Sequence, residues 1–95
     1  MKLRFLPAAA HDLVRLRLFV ETRNPKAAAR IALRLYAAAE SLLVSPELGR
    51  PIAGTPIRKL TIRIRRTAYV LHYRVSPELD AITIIRIWHG RERQP

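Results

Sequence analysis

Ile82-Thr83-Ile84-Ile85-Arg86-Ile87-Trp88-His89-Gly90-Arg91-Glu92-Arg93 is the stretch that decides the fold. Its apolar residues form a buried strand of a small sheet. Where the strand ends, the chain presents an indole, an imidazole and two guanidiniums. Thr83, Ile85 and Ile87 share one phase of the strand; Ile82, Ile84, Arg86 and Trp88 share the other. Apolar side chains in both phases imply a central strand, a bulge, or a surface that a partner covers. Turning Ile85 and Ile87 toward the core puts Arg86 and Trp88 on the opposite, open face. A bulge would instead turn Trp88 inward.

Working upstream, Tyr69, Leu71, Tyr73 and Val75 share one face of the preceding strand, with His72 and Arg74 on the other. Before it, Leu60, Ile62 and Ile64 alternate with Thr61, Arg63 and Arg65. Period-two alternation of this kind predicts half-buried strands. Arg66-Thr67 reads as a tight turn and Ser76 to Asp80 as the next connection. Links this short allow only antiparallel pairing, so the three strands form a meander. Ile52 to Pro56 reads as loop.

The first half changes period. Lys2 to Leu6 alternates as a short strand, and Pro7 suits the first turn of a helix, where its missing N–H is not needed. From Ala8 to Arg23 the apolar positions Ala9, Leu13, Leu16 and Val20 recur at helical spacing. His11 and Asp12 fall on the charged face at the start of this helix. Asn24-Pro25 reads as an N-cap followed by the first helical residue. The second helix runs to about Val44, with Ile31, Leu35, Ala38 and Leu42 as its buried stripe. Only one residue separates the two helices in this reading, so they form an antiparallel hairpin. The predicted order is β-α-α-β-β-β: an α+β two-layer sandwich, helix hairpin on one face of a mainly antiparallel sheet.

The 95 residues make a single domain, 1–95. Eighteen Lys+Arg against seven Asp+Glu leave a net charge of +11, and fifteen of the cations are arginine. No acid occurs between Glu47 and Glu78, a stretch that holds Arg50, Arg58, Lys59, Arg63, Arg65, Arg66 and Arg74. Such a field attracts polyanions, either nucleic acid or an acidic protein segment. Arginine favours forked contacts to phosphate or carboxylate. The absence of cysteine excludes disulfides and thiolate metal sites and suits the cytoplasm. Three scattered histidines lack metal-ligand spacing, so no metal or cofactor is expected. No apolar run approaches a membrane span, and none follows Lys2 and Arg4 as a secretory signal requires. The expectation is a cytoplasmic chain with no membrane partner.

Several pieces carry a family resemblance by their order and spacing. They are Leu6-Pro7-Ala8-Ala9-Ala10-His11-Asp12-Leu13, Asn24-Pro25-Lys26-Ala27-Ala28, Ser45-Pro46-Glu47-Leu48-Gly49-Arg50-Pro51, Tyr69-Val70-Leu71-His72-Tyr73-Arg74-Val75, and Ile84-Ile85-Arg86-Ile87-Trp88-His89-Gly90-Arg91. Across nearly its full length the chain resembles the RelE/ParE superfamily of type II toxin–antitoxin toxins, and looks closer to the ParE branch. The resemblance implies a toxin of the plasmid-stabilization kind, encoded with a small antitoxin. ParE-like members inhibit DNA gyrase by binding it; RelE-like members are endoribonucleases that cut mRNA on the ribosome. It also implies a first strand at a sheet edge beside the last one.

Cleavage of RNA through its 2′-hydroxyl needs a base, an acid and cations on the phosphate. His72 and His89 are the candidate proton carriers, with Arg63, Arg65, Arg74 and Arg91 as phosphate clamps. RelE-like RNases tend to carry lysines on the sheet and a tyrosine or paired basic residues near the C-terminus. Here Lys59 is the only lysine from Ile57 onward, and no tyrosine follows Tyr73. That departure favours a gyrase-binding toxin that is not an enzyme. A basic nucleic-acid-binding module is the third reading. An acidic, extended antitoxin tail would fold on binding, with a helix beside the hairpin and a strand on a sheet edge. The candidate target- and antitoxin-binding residues are Arg63, Arg65, Arg74, Arg86, Trp88, His89, Arg91 and Arg93, with Leu18 and Phe19 as apolar anchors.

Overall fold

The computed structural model describes residues 1–92. Its elements are β1 (Lys2–Phe5), α1 (Pro7–Glu21), α2 (Pro25–Ser41), β2 (Arg50–Pro51), β3 (Ile57–Ile64), β4 (Thr67–Ser76), a 3-10 turn (Pro77–Leu79) and β5 (Ala81–His89). The five strands form one sheet in the order β1-β5-β4-β3-β2. β1 runs parallel to β5, and the other pairs are antiparallel. This is the expected α+β sandwich, with β1 at an edge beside the last strand. β2 is an addition to the expected order. Its two residues are too few to show a period, and Pro51, which has no N–H to donate, suits an edge.

Both helices start on proline, and the Asn24 side chain caps α2 by accepting from the Ala27 N–H at 3.1 Å. The residues between them are Thr22, Arg23 and Asn24, a longer link than the single residue expected. Their inner stripes, Ala9, Leu13 and Leu16 on α1 and Ile31, Leu35, Ala38 and Leu42 around α2, pack on one face of the sheet. That face is built from Leu60, Ile62, Ile64, Tyr69, Leu71, Tyr73, Ile82, Ile84 and Ile87. Leu35 and Leu71 are fully buried, so truncating either to alanine would cost about 2–5 kcal/mol.

Two strand details depart from simple alternation. His72 pairs with Arg86 while Tyr73 pairs with Ile84, so Ile85 is an extra residue and β5 is bulged there. Ile82, Ile84 and Ile87 therefore face the helices, and Ile85 does not, contrary to the expected pairing of Ile85 with Ile87. The β3–β4 turn is Arg65-Arg66, closed by Ile64 paired with Thr67, and not Arg66-Thr67. Arg65 thus leaves the strand and takes a φ of 58°, a left-handed conformation that disfavours a side-chain-bearing residue by roughly 1–2 kcal/mol.

The Ser45–Pro51 segment is pinned from below. The Tyr73 hydroxyl donates to the Pro46 carbonyl at 2.6 Å and accepts from the Gly49 N–H at 2.8 Å. Arg58 donates to the Gly49 carbonyl at 2.7 Å. A Cβ on Gly49 would lie 2.6 Å from the Tyr73 ring, so only glycine admits the phenol there. The motif is a loop whose polar backbone groups are satisfied by β3 and β4.

Candidate functional site

Cross-strand partners share a face, so the register lays out the side of the sheet away from the helices in rows. Arg63 stands opposite Ala68. Thr61, Val70 and Trp88 form the next row, followed by Lys59, His72 and Arg86. Beyond the bulge come Ile57, Arg74, Thr83 and Arg4. Lys59, Arg63, Arg74 and Arg4 are exposed. Among the described residues Arg74 makes only a loose ion pair with Glu78, at 3.6 Å with both groups about half exposed, which contributes little.

Trp88 lies on this open face yet is only 3% exposed, so it neither joins the helical core nor stands free. His72 meets the indole edge-on with ring centres 4.6 Å apart, and the Arg86 guanidinium lies 5.0 Å from its centre. Burial, and then the neighbouring Lys59 charge, lower the His72 pKa below its ordinary 6.5. This favours the neutral imidazole.

Arg86 also reaches from the face to α1. β1 ends at Phe5, so β5 loses its neighbour strand after Ile84, whose carbonyl accepts from the Leu6 N–H. Side chains of α1 fill the gap. The Ile87 N–H donates to Asp12 Oδ2 at 2.9 Å, and Arg15 donates to the Ile87 carbonyl at 3.3 Å. Arg86 Nε and Nη2 donate to the two Asp12 oxygens at 2.7 and 3.1 Å. Arg15 also bridges Asp12 at 3.2 Å and Glu92 at 2.6 Å. Asp12 is 2% exposed. Burial pushes its carboxyl pKa up, but the hydrogen bonds from Arg86, the Ile87 N–H and Arg15 outweigh that and hold it below 3.8. Asp12 is thus an internal hub and not part of a solvated helix face.

His89 stands opposite Tyr69, on the helix side of the sheet, in edge contact with that ring at 5.5 Å. Its Nδ1 accepts from the Arg91 N–H at 3.1 Å. With Arg15, Phe19, Arg23, Arg91 and Glu92 it lines a groove of about 580 Å³ beside α1. Phe19 is 56% exposed there, with the Arg23 guanidinium 5.2 Å from its ring centre. Gly90 makes the bend behind this groove: its N–H donates to the Ala68 carbonyl at 2.7 Å, and an added Cβ would meet the same oxygen at 2.7 Å.

The sequence candidates therefore divide into two groups. Arg63, His72, Arg74 and Trp88 belong to the open face; Phe19, His89 and Arg91 gather at the α1 groove. Arg65 is in a turn, Arg86 is committed to Asp12, and Leu18 is exposed on α1 outside the groove lining. Arg93 lies outside the described residues. The residues missed were Asp12, Arg15 and Glu92. One signal pointed to the first: Asp12 falls three residues after Ala9 and four before Leu16, on the stripe that faces the core.

Residues 3–94 match the family described as the ParE toxin of type II toxin–antitoxin systems, parDE. Toxin RelE1 of Caulobacter vibrioides is 37% identical over 86 residues, covering 90% of this chain and 89% of the relative. Toxin RelE3 of the same organism is 39% identical over 88 residues, covering 93% and 92%. Among solved structures, the chromosomal ParDE system from P. aeruginosa superposes with a TM-score of 0.76 at 23% identity, covering 94% of this chain and 95% of that one. The toxin–antitoxin complex RelBE of E. coli gives a TM-score of 0.69 at 18% identity, covering 96% and 98%. Those structures share the fold. The family match over nearly the whole chain, with relatives well above 30% identity, makes this protein a ParE-family toxin of type II toxin–antitoxin systems, within the RelE/ParE superfamily.

Proposed function

We propose that this toxin acts by binding rather than by cutting RNA, that its target is DNA gyrase, and that an acidic-tailed antitoxin silences it. The observation that carries the first point is the separation of the two histidines. His72 belongs to the open face and His89 to the helix side of the sheet, so they do not converge on one phosphate. A base without a matched acid is a poor site for 2′-hydroxyl attack. Gyrase as the target is supported by the match to the ParE toxin family, while the relatives named RelE fit the second reading as well. The antitoxin follows from the +11 charge and from the α1 groove, whose cationic rim of Arg15, Arg23 and Arg91 surrounds exposed Phe19.

A second reading, ribosome-dependent mRNA cleavage, is favoured by one row of the open face. Lys59 lies beside a neutral His72, with Arg63 and Arg74 on the same side. One experiment separates the two. The purified chain is added to gyrase with relaxed plasmid, and in parallel to ribosomes programmed with mRNA. Loss of supercoiling with intact message supports the proposal. Ribosome-dependent cuts with unimpaired supercoiling overturn it in favour of the second reading.

A further inference from the structure

The far end of the open face holds a depression that shares only Arg74 with the residues invoked for the two target readings. It has a volume of about 270 Å³ and is lined by Arg4, Leu6, Arg74, Ser76, Glu78, Leu79, Thr83 and Ile85. Its centre is Thr83. Arg4 on β1 and Arg74 on β4 are the register partners of Thr83 on either side, so two guanidiniums flank one threonine across three adjacent strands. Neighbouring strands lie about 4.8 Å apart, which leaves the flanking residues roughly 10 Å from one another at the backbone. Long arginine side chains close that gap on a single carboxylate. The aliphatic part of the lining is Leu6, Leu79 and the extra residue of the β5 bulge, Ile85. Bulges re-aim a side chain, and here the insertion brings an isoleucine to the face opposite the core.

We propose that this depression binds an acidic segment of a partner protein, one aliphatic side chain resting on Ile85 and an adjacent carboxylate held between Arg4 and Arg74 above Thr83. Charge selects the partner. Arg4 makes no ion pair among the described residues, and Arg74 has only the loose contact with Glu78. Glu78 partly neutralises Arg74, so the incoming acid competes with it there. A peptide fits better than a nucleic acid because the lining contains no aromatic ring on which a base could stack. The site does not depend on gyrase being the target.

The test is an NMR titration of the isotope-labelled whole chain with a blocked leucine–aspartate alternating peptide. The same peptide with asparagine for aspartate and a short oligouridine are the controls. Amide shifts centred on Arg4, Leu79, Thr83 and Ile85 are expected with the acidic peptide alone. Arg4→Gln should weaken binding about tenfold, as loss of a hydrogen bond between charged groups does. Glu78→Gln should strengthen it by removing the resident competitor. Unchanged melting temperatures would show that both variants remain folded. The proposal is overturned by the absence of peptide binding, by shifts centred on Lys59 and His72 or on α1, by equal binding of the asparagine peptide, by indifference to Arg4→Gln, or by oligouridine taking the site instead.

Discussion

Replacing Asp12 with alanine tests the idea that α1 completes the edge of β5. The carboxylate accepts from the buried Ile87 N–H and from two guanidiniums. Losing the acceptor leaves that N–H unsatisfied, a penalty of about 1–3 kcal/mol. Arg15 and Arg86 side chains are each 37% exposed and can hydrate once released, so their contribution is discounted to roughly 0.5 kcal/mol apiece. The total is about 3 kcal/mol, which in a domain of this size lowers Tm by roughly 12–24 °C. Urea unfolding at pH 7 should show the same loss as a lower midpoint. The pH dependence carries a sign. The folded pKa lies below the unfolded 3.8, so the ionised group contributes fully above that value, and its contribution is lost as pH falls through the folded pKa. Asp12→Ala should therefore have a flatter acid limb than the native chain. A loss under 1 kcal/mol, or parallel acid limbs, would mean that Asp12 does not complete the edge of β5.

Three further outcomes follow from single contacts. Tyr73→Phe keeps the ring but strands the Pro46 carbonyl and the Gly49 N–H; it should cost about 2 kcal/mol, read as a lower urea midpoint. Arg65→Gly relieves the positive φ and should stabilise by up to about 1 kcal/mol in thermal melts, part of the relief being offset by the greater freedom of glycine in the unfolded chain. His72 should titrate by NMR with a midpoint below 6.5, and Lys59→Gln should raise it. Because the folded pKa is the lower one, the stability contribution of neutral His72 is full above pH 6.5 and shrinks as pH falls through that value; His72→Gln should abolish this slope.

The layers were legible because burial leaves periodic traces. Leu60, Ile62 and Ile64 repeat every second residue, and Ile31, Leu35 and Leu42 follow helical spacing, so the sequence alone predicted which sides meet. Positions that break period were not legible from period. The bulge at Ile85 shifts the phase of everything after it, and β5 is apolar in both phases, so either assignment satisfied the pattern. Arg65 carries no glycine or asparagine signal for its turn, and tertiary pairing of Ile64 with Thr67 overrode the local preference. Asp12 is charged, and charge reads as solvent; only the unpaired backbone of Ile87, far along the chain, explains why it is inside. Of the candidate site, the cationic open face was visible in the spacing of Arg63 and Arg74. The split that sends His89 and Arg91 to the helix side required the register itself.

The parallel pairing of β1 with β5 also bears on how the molecule comes into being. Lys2 finds its partner in Ala81, and Asp12 finds its own in Ile87, seventy-five residues onward. Contacts of such long sequence separation form slowly, because a wide loop must close first. A chain leaving the ribosome therefore holds its opening strand and the carboxylate of its first helix in waiting until the last strand has emerged. Neither the groove at His89 nor the depression at Thr83 exists before then, so both surfaces take shape only with the final pairing.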